Sequence, residues 1–522
     1  MNKKLFTLSV FTAILNVLAT PPVDLAPLGW LCLTPLLFAL TGCNSYKEAF
    51  QAGIISGIVS TVGTYYWLIY TMTTFGGLSY LLSVVLFILL AAYLSLFWSL
   101  FTLTIRFLSA AKLPFILIVP FIWVSLEYLR TYLFSGFPWA LLGYTQYKIP
   151  HFIQVSNLMG PYGVSFILAL SSAVICQGIC RYFSKKIFPL KETIMFLFLL
   201  LLTISYGFIN IREYKEPSKY ILSALIQGNI EQNMKWNKDF QDKTIDIYGN
   251  LSKKAAENAK GLDILIWPET AAPFYFQNKS RLNEKIIDIS DSLNIPILFG
   301  SPAYKYEGKK VRLLNSAFLI APQPGKGVET LARYDKMHLV PFGEYVPMKK
   351  ILFFVNKITE GIGDLSAGDN ANPLMFRTGK TNTELVSLGT TICYEGIFPD
   401  LVRRFVKNGA NILVNITNDA WYGRSSAPYQ HLSAAVFRAV ENGIYMLRSA
   451  NTGVTAVINP LGRIEKSTRI FTRDYLTAKV SLRERTTFYT KNGDIFAILI
   501  SFTTLISIIY AVIINRCKKN LM

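Results

Sequence analysis

One cysteine has the sequence setting of a catalytic nucleophile. Cys393 ends an apolar, β-branched run that starts at Leu385, and a predicted helix over 397–408 follows almost at once. A thiol at such a strand-to-helix junction is held rigidly at a sheet edge, where backbone N–H groups can face a developing oxyanion. A buried structural cysteine is the alternative interpretation, because free cysteines are often buried.

Two further segments favour the nucleophile. Glu269 follows an apolar strand that ends in Trp267-Pro268, and a proline cannot continue a sheet ladder. Lys336 and Glu344 lie in a stretch, 334–347, that is rich in Pro, Gly and aromatic residues and so indicates a shaped loop. A carboxylate can take the thiol proton, and an ammonium favours the thiolate and stabilises an oxyanion. The three residue types therefore predict acyl chemistry without a catalytic histidine.

The elements that must position these residues form an α/β domain over 213–490. Short apolar runs alternate there with charged helical stretches, a pattern typical of α/β folds. The predicted helices are 238–260, 278–293, 397–408 and 428–443. The predicted strands are 220–227, 262–268, 295–300, 314–321, 385–393, 410–417, 445–450, 453–459 and 475–481.

The rest of the chain has the composition of a membrane protein. Apolar residues make up 52% of the sequence and the mean hydropathy is +0.36. A span needs about 20 apolar residues, and eight stretches predict spans near 5–21, 26–42, 51–71, 79–105, 114–130, 161–181, 190–210 and 495–514. We therefore predict helices 1–7 within 1–212 and helix 8 within 491–522. A cleaved signal peptide over 1–20 is the alternative for the first stretch.

The positive charges predict how the chain is oriented. The net charge is +20, but Lys and Arg are concentrated in alternate short loops between apolar runs, as the positive-inside rule requires. This arrangement places the N-terminus in the cytoplasm and the α/β domain on the outer side of the membrane. The charges form no basic and aromatic surface pattern, so we do not expect a nucleic-acid partner.

The cysteines limit the possible sites. The chain has six, and only Cys393 lies in the polar half. That half can therefore form no internal disulfide and no cysteine-based zinc site, which needs clustered ligands. We predict neither a metal nor a cofactor.

Several motifs together resemble a known family. Trp267-Pro268-Glu269, Lys336 within 334–347, and Cys393-Tyr394-Glu395 resemble the catalytic signature of the nitrilase superfamily. The whole chain resembles its membrane-embedded branch, the apolipoprotein N-acyltransferases. The other stretches that carry this resemblance are 126–130, 136–139, 227–230 with Trp236, 415–423, 448–455 and 493–494.

The resemblance implies an αββα sandwich in the periplasm on an eight-span helical bundle. It implies Glu269 as the general base, Lys336 as the stabilising lysine and Cys393 as the acyl-accepting nucleophile. Glu344 corresponds to a supporting glutamate, and Tyr394, Glu395 and Trp236 to residues needed for activity, although Trp236 could also belong to the core. The implied reaction is ping-pong transfer from a phospholipid, phosphatidylethanolamine, through a thioester to the N-terminus of a diacylated lipoprotein, by a monomeric enzyme.

Other functions remain open at this point. A membrane-tethered amidase could use the same residues on a small substrate, although one span would suffice to tether it. A transporter or a non-catalytic binding protein is thinly supported, because the membrane half offers few buried charges beyond Glu127 and Arg130. A cysteine–histidine hydrolase would need His338 or His431 beside Cys393. Two segments are candidate membrane-facing parts of the site entrance, namely 348–355 and 274–276.

Overall fold

A computed structural model describes residues 3–346, 364–378 and 384–520, and the candidate entrance segment 348–355 lies outside them. The chain divides into two compact units. The first comprises Met1–Ile69, Tyr80–Tyr214 and Asn492–Met522, and the second comprises Tyr70–Ser79 and Lys215–Lys491.

The helices are α1 Lys3–Ala19, α2 Thr34–Thr41, α3 Tyr46–Tyr65, α4 Trp67–Thr74, α5 Tyr80–Ala110, α6 Phe115–Tyr132, α7 Pro150–Ile153, α8 Ser156–Phe183, α9 Leu190–Glu213, α10 Gln232–Lys235, α11 Lys238–Asn258, α12 Arg281–Leu293, α13 Pro399–Lys407, α14 Ala427–Asn442, α15 Phe488–Asn492 and α16 Ile495–Asn520. Short 3₁₀ helices cover Ala26–Trp30, Leu142–Gln146, Cys393–Ile397 and Asp419–Tyr422.

The first unit is helical and apolar. Within the described residues, five helices are long and apolar enough to cross a membrane: α5, α6, α8, α9 and α16. The pair α3 and α4, bent by 57°, makes a sixth if it counts as one span. The predicted eight spans are therefore not confirmed. Helix α1 has 17 residues and the apolar stretch Ala26–Thr41 is also short, so both fall below the length of about 20 residues that a span needs.

The two charged residues singled out in the helical unit bond to their own bundle. Glu127 is buried, and its Oε1 accepts hydrogen bonds from Leu142 N at 2.8 Å and Trp123 Nε1 at 3.1 Å. Arg130 Nη2 donates to the carbonyl oxygen of Trp139 at 3.3 Å. These bonds satisfy backbone and indole groups near the end of α6. Glu127 and Arg130 therefore have a structural role in the apolar unit.

Among its described residues, the second unit has twelve strands in two six-stranded sheets. The strands are β1 Tyr220–Gln227, β2 Ile264–Ile266, β3 Ile297–Glu307, β4 Lys310–Gln323, β5 Gly327–Asp335, β6 Leu374–Arg377, β7 Leu385–Ile392, β8 Ile412–Thr417, β9 Met446–Ala450, β10 Ala456–Ile458, β11 Ile464–Ser467 and β12 Asp474–Ser481. The first sheet has the order β12-β1-β2-β3-β4-β5, and the second has the order β11-β10-β9-β8-β7-β6.

Both sheets have the same plan. Each has three parallel strands, β1-β2-β3 or β7-β8-β9, flanked on both sides by antiparallel strands. Parallel neighbours need a crossover connection, which α11 and α12 provide for the first sheet and α13 and α14 for the second. The sheets face each other, and Ser449 Oγ on β9 donates to the carbonyl oxygens of Ile226 and Ile266 at 3.2 and 3.1 Å.

Sequence patterns predicted the buried elements better than the exposed ones. All nine predicted strands and all four predicted helices of this unit are present. Strands β5, β6 and β11 were missed, and they are largely or alternately exposed. Such strands lack the continuous apolar run that marks a buried strand.

Candidate active site

The backbone at Cys393 is strained. The residue follows β7 directly and has a φ of 55°, in the left-handed region that non-glycine residues rarely adopt. A 3₁₀ helix starts at this residue, so the chain reverses sharply behind the thiol. Strain of this kind is found where a functional group must be presented in one orientation.

Glu395 fixes this turn to the loop that carries the lysine. The side chain is fully buried. Its Oε1 accepts hydrogen bonds from Tyr334 Oη at 2.7 Å, Met337 N at 2.7 Å and His338 N at 3.0 Å. Its Oε2 accepts from Ile392 N at 2.8 Å. The carboxylate thus joins the residues on both sides of Lys336 to the last residue before Cys393.

Glu269 lies just beyond the end of β2, as the Trp-Pro pattern predicted. The carboxyl group is buried, and its Oε1 accepts a hydrogen bond from Asn315 Nδ2 at 2.8 Å. Its Oε2 has no hydrogen-bond partner among the residues that the structure describes. Gly300 on β3 allows this position, since a Cβ there would lie 2.8 Å from Glu269 Cα. The free oxygen is therefore available to accept a proton from a reacting group.

Lys336 is held by two carboxylates. Its side chain is 1% exposed, and Nζ lies 3.0 and 2.9 Å from the two oxygens of Glu344 and 3.8 Å from Glu269 Oε1. Asn315 Nδ2 also donates to Glu344 Oε1, at 3.0 Å, so one amide orients both acids. Burial opposes the charge of Lys336, but Glu344 and Glu269 outweigh it and raise its pKa. The side chain therefore stays an ammonium.

The thiol is protonated in the resting site. Burial, assisted by the charge of Glu269 and opposed by that of Lys336, raises the pKa of the Cys393 thiol to about 12. Burial also raises the pKa of the Glu269 carboxyl, against the lowering effect of Lys336. A thiol of high pKa that shares a cleft with a carboxyl group is the arrangement that general-base catalysis uses, with the proton transferred during attack.

These groups line one cleft, whose empty volume of about 1020 Å³ includes space that is open to solvent. Of the residues selected from the sequence, Glu269, Lys336, Cys393, Glu344 and Trp236 line it. Tyr394 and Glu395 are buried in the turn after the nucleophile. The ring of Tyr394 packs against Phe398, with centroids 5.1 Å apart. The second entrance candidate, 274–276, includes Phe276, whose ring packs in the core on Phe299 and Phe318.

Sequence reasoning missed several residues that line the cleft, among them Asn315, Lys235 and Thr71. Asn315 is a polar residue inside the apolar strand β4, which is a readable signal of a buried role. Lys235 immediately precedes Trp236, but its sequence gives no sign that it is fully buried. Thr71 is the last residue of the predicted span 51–71, and its Oγ1 donates to Trp421 O at 2.8 Å.

His431 is engaged by groups other than the thiol. Its Nε2 lies 3.2 Å from the carbonyl oxygen of Cys393, and its Nδ1 lies 3.0 Å from Arg448 Nη2 and 3.3 Å from Asp419 Oδ1. A carbonyl only accepts and a guanidinium only donates, so the neutral imidazole carries its proton on Nε2. Burial lowers the pKa of His431, which favours this neutral form. The geometry therefore supports a role for His431 in holding the nucleophile's backbone.

Comparisons with known proteins agree with this architecture. Residues 12–174 match the model described as the apolipoprotein N-acyltransferase N-terminal domain, and residues 222–488 match the carbon-nitrogen hydrolase model. The apolipoprotein N-acyltransferase of Geobacter metallireducens is 42% identical over 94% of this chain and 92% of its own length. That of Pasteurella multocida is 32% identical over 95% and 93%, respectively.

The chain is also similar, more distantly, to a solved structure. Saccharomyces cerevisiae Nit3, a member of branch 10 of the nitrilase superfamily, is 16% identical and covers 51% of this chain with a TM-score of 0.39, a likeness too weak to support an inference. The assignment depends instead on the two family models and on the nearly full-length relatives at 42% and 32% identity. The chain belongs to the apolipoprotein N-acyltransferase family.

Proposed function

We propose that this enzyme transfers a fatty acyl chain from a phospholipid to the N-terminal amine of a diacylglyceryl-cysteine lipoprotein, through a thioester on Cys393. The observation that carries the proposal is the buried constellation in one cleft: a protonated thiol, a carboxylate with a free oxygen and a fixed ammonium. The names and full-length similarity of the relatives support the class of donor and acceptor.

The first half-reaction forms the thioester. Glu269 takes the proton of the Cys393 thiol as sulfur attacks the ester carbonyl, and negative charge develops on the carbonyl oxygen. Lys336 lowers the energy of the thiolate and of this oxyanion. Collapse of the intermediate breaks the ester C–O bond, and the departing lysophospholipid oxygen takes the proton back from Glu269.

The second half-reaction forms the amide. The neutral α-amine of the lipoprotein attacks the thioester carbon, and Glu269 takes the proton that the nitrogen loses. Collapse breaks the C–S bond, and the leaving sulfur recovers a proton as the thiol of Cys393. A thioester is a reactive acyl donor, so the transfer needs no ATP. This sequence is ping-pong, because the first product leaves before the acceptor reacts.

We further propose phosphatidylethanolamine as the donor and a monomer as the active form. The enzyme would lie in the inner membrane with its α/β unit in the periplasm. The charge asymmetry of the loops supports this orientation. Segment Tyr70–Ser79 contains the end of α4 and its connection to α5 and belongs to the α/β unit, which is expected if this connection and the α/β unit face the same side of the membrane.

The test uses intact mass. The purified full-length protein and Cys393→Ala are incubated with phosphatidylethanolamine alone, and a synthetic diacylated lipopeptide is then added. We expect a gain of one acyl chain on the wild type, no gain on Cys393→Ala, and loss of the adduct when the lipopeptide is added. Hydrolysis of small amides without any lipid adduct would instead favour the amidase.

A further inference from the structure

The cleft contains a second buried lysine. Lys235 is the last residue of α10, its side chain is fully buried, and it lines the same cleft as Cys393 and Glu269. Burial of an ammonium is unfavourable unless hydrogen bonds and opposite charge compensate it. Its Nζ donates to the backbone carbonyl oxygen of Glu269 at 3.0 Å, which is a neutral acceptor.

Lys235 and Lys336 differ in how their charges are compensated. Lys336 Nζ lies against both oxygens of Glu344 and near Glu269. An ammonium has three N–H donors, and the Glu269 carbonyl satisfies one of those on Lys235. Within residues 3–346, 364–378 and 384–520, the other two have no acceptor. Two unsatisfied donors on a buried cation that faces a cleft indicate a place for an anionic atom.

The segment that carries Lys235 is held firmly. Gln232 Oε1 accepts from Asn418 Nδ2 at 2.7 Å, and Asn418 Oδ1 accepts from Asn451 Nδ2 at 3.0 Å. Asn451 also exchanges hydrogen bonds with the backbone of Ile230, at 2.8 and 2.9 Å. The lysine is thus positioned before any ligand binds, which is the condition for effective electrostatic stabilisation.

We propose that Lys235 is a catalytic residue whose ammonium binds an anionic oxygen of the acyl donor. That oxygen is either the carbonyl oxygen that becomes negative during attack by Cys393 or an oxygen of the head-group phosphate. This inference depends on the proposed acyl transfer.

The charges of the site support the assignment. During attack, Glu269 becomes neutral and the negative charge moves to the substrate oxygen, while Lys336 stays paired with Glu344. Lys336 also stabilises the oxyanion, but its own charge is balanced by Glu344, so Lys235 is the additional cation that balances the new charge. The charges of Glu269, Glu344, Lys336, Lys235 and the oxyanion then sum to zero. Burial lowers the pKa of Lys235 to about 8, so most of it is charged at pH 7.

The test measures acyl-enzyme formation by intact mass in full-length Lys235→Met, Lys235→Gln and wild type. Met matches the length of lysine without its charge, and Gln can still donate to the Glu269 carbonyl. Lys238→Met is the control, because Lys238 is exposed and only three residues away. Each protein receives phosphatidylethanolamine or a p-nitrophenyl acyl ester, which has no phosphate.

We expect both Lys235 variants to slow acylation by about 10²–10³-fold, the effect of removing one oxyanion donor, and the control to change it less than twofold. If acylation by both the phospholipid and the p-nitrophenyl ester is slower, the ligand of Lys235 is the ester carbonyl oxygen. If acylation by the phospholipid alone is slower, the ligand is the phosphate. Wild-type rates in Lys235→Met would overturn the proposal. A wild-type rate in Lys235→Gln alone would reduce Lys235 to a positioning residue and also overturn it. Failure of the wild type to form any acyl-enzyme would refute the proposed function itself.

Discussion

The two sheets of the α/β unit have the same strand plan but supply different kinds of groups to the cleft. The first sheet and the loops at its strand ends provide the charged groups that face the cleft, namely Glu269, Lys336, Glu344 and Lys235. The second sheet provides the thiol of Cys393. Its own charged cluster of Asp419, His431 and Arg448 is fully buried, and His431 contacts the nucleophile's carbonyl oxygen.

The two sheets therefore have different roles: the first supplies groups that can react, and the second supplies groups that support the nucleophile. On the first sheet, charges are available to act on protons and oxygens in the cleft. On the second, Arg448 bonds Asp419 at 2.8 Å, so those charges compensate each other inside the protein. We therefore expect substitutions on the first sheet to change the rate most, and those behind Cys393 to change stability or orientation.

The largest effect should come from the carboxylate of the first sheet. Glu269→Gln removes the proton acceptor but keeps the size of the side chain, so acyl-enzyme formation should slow by about 10²–10⁴-fold. Intact mass against time with phosphatidylethanolamine measures the rate. Glu284→Gln, on the exposed first turn of α12, is the matched control. A Glu269→Gln rate within a few-fold of the wild type would remove Glu269 as the base.

The next largest effect is expected at Glu395, which joins the turn at Cys393 to the loop that carries Lys336. Glu395→Gln replaces one buried acceptor by an NH₂ group that confronts an N–H donor, either at Ile392 or in the loop around Lys336. We expect the free energy of unfolding to fall by about 1–3 kcal/mol, together with slower acylation. Denaturant unfolding in detergent measures the change, with Glu329→Gln, which is exposed on β5, for comparison. Equal stability of the two variants would contradict the structural role of Glu395.

A smaller effect on the rate of acylation is expected from His431, which lies behind the nucleophile. His431→Leu removes the donor to the Cys393 carbonyl and leaves the Asp419–Arg448 pair in place. The loss of one hydrogen bond, about 0.5–1.5 kcal/mol, should slow acylation by no more than about tenfold, whereas loss of a catalytic base would cost about 10²–10⁴-fold. A defect as large as that of Glu269→Gln would revive the cysteine–histidine interpretation.

The smallest effect is a shift in pH dependence. Asn315 donates to Glu269 and thereby lowers the pKa of a carboxyl that burial has raised. Glu269 accepts a proton only when ionised, so acylation should rise with pH through its pKa. In Asn315→Leu that pKa increases, and the acid limb of the pH–rate profile should move to higher pH. A limb that stays in place or moves to lower pH would show that Asn315 does not tune Glu269.

Much of the site could be predicted because its residues lie at the ends of buried strands. Glu269 follows β2 and Cys393 follows β7, and an apolar run that stops at a proline or a turn reveals such an end. Because the carboxyl ends of parallel strands form the usual binding edge of an α/β sheet, local sequence sufficed to select these residues. Exposed strands such as β11 gave no comparable signal.

The sequence by itself determined the five long apolar helices, the strand ends and the chemical types of the reacting groups, because hydrophobic period and residue type are local properties. Only the tertiary structure decided what Glu395 holds, that Lys235 is buried beside Glu269, and that Thr71 reaches the cleft wall to bond Trp421 across 350 positions of sequence. Those roles depend on partners that are distant in the chain. They are fixed by packing and by the need to satisfy buried polar groups, which no local pattern records.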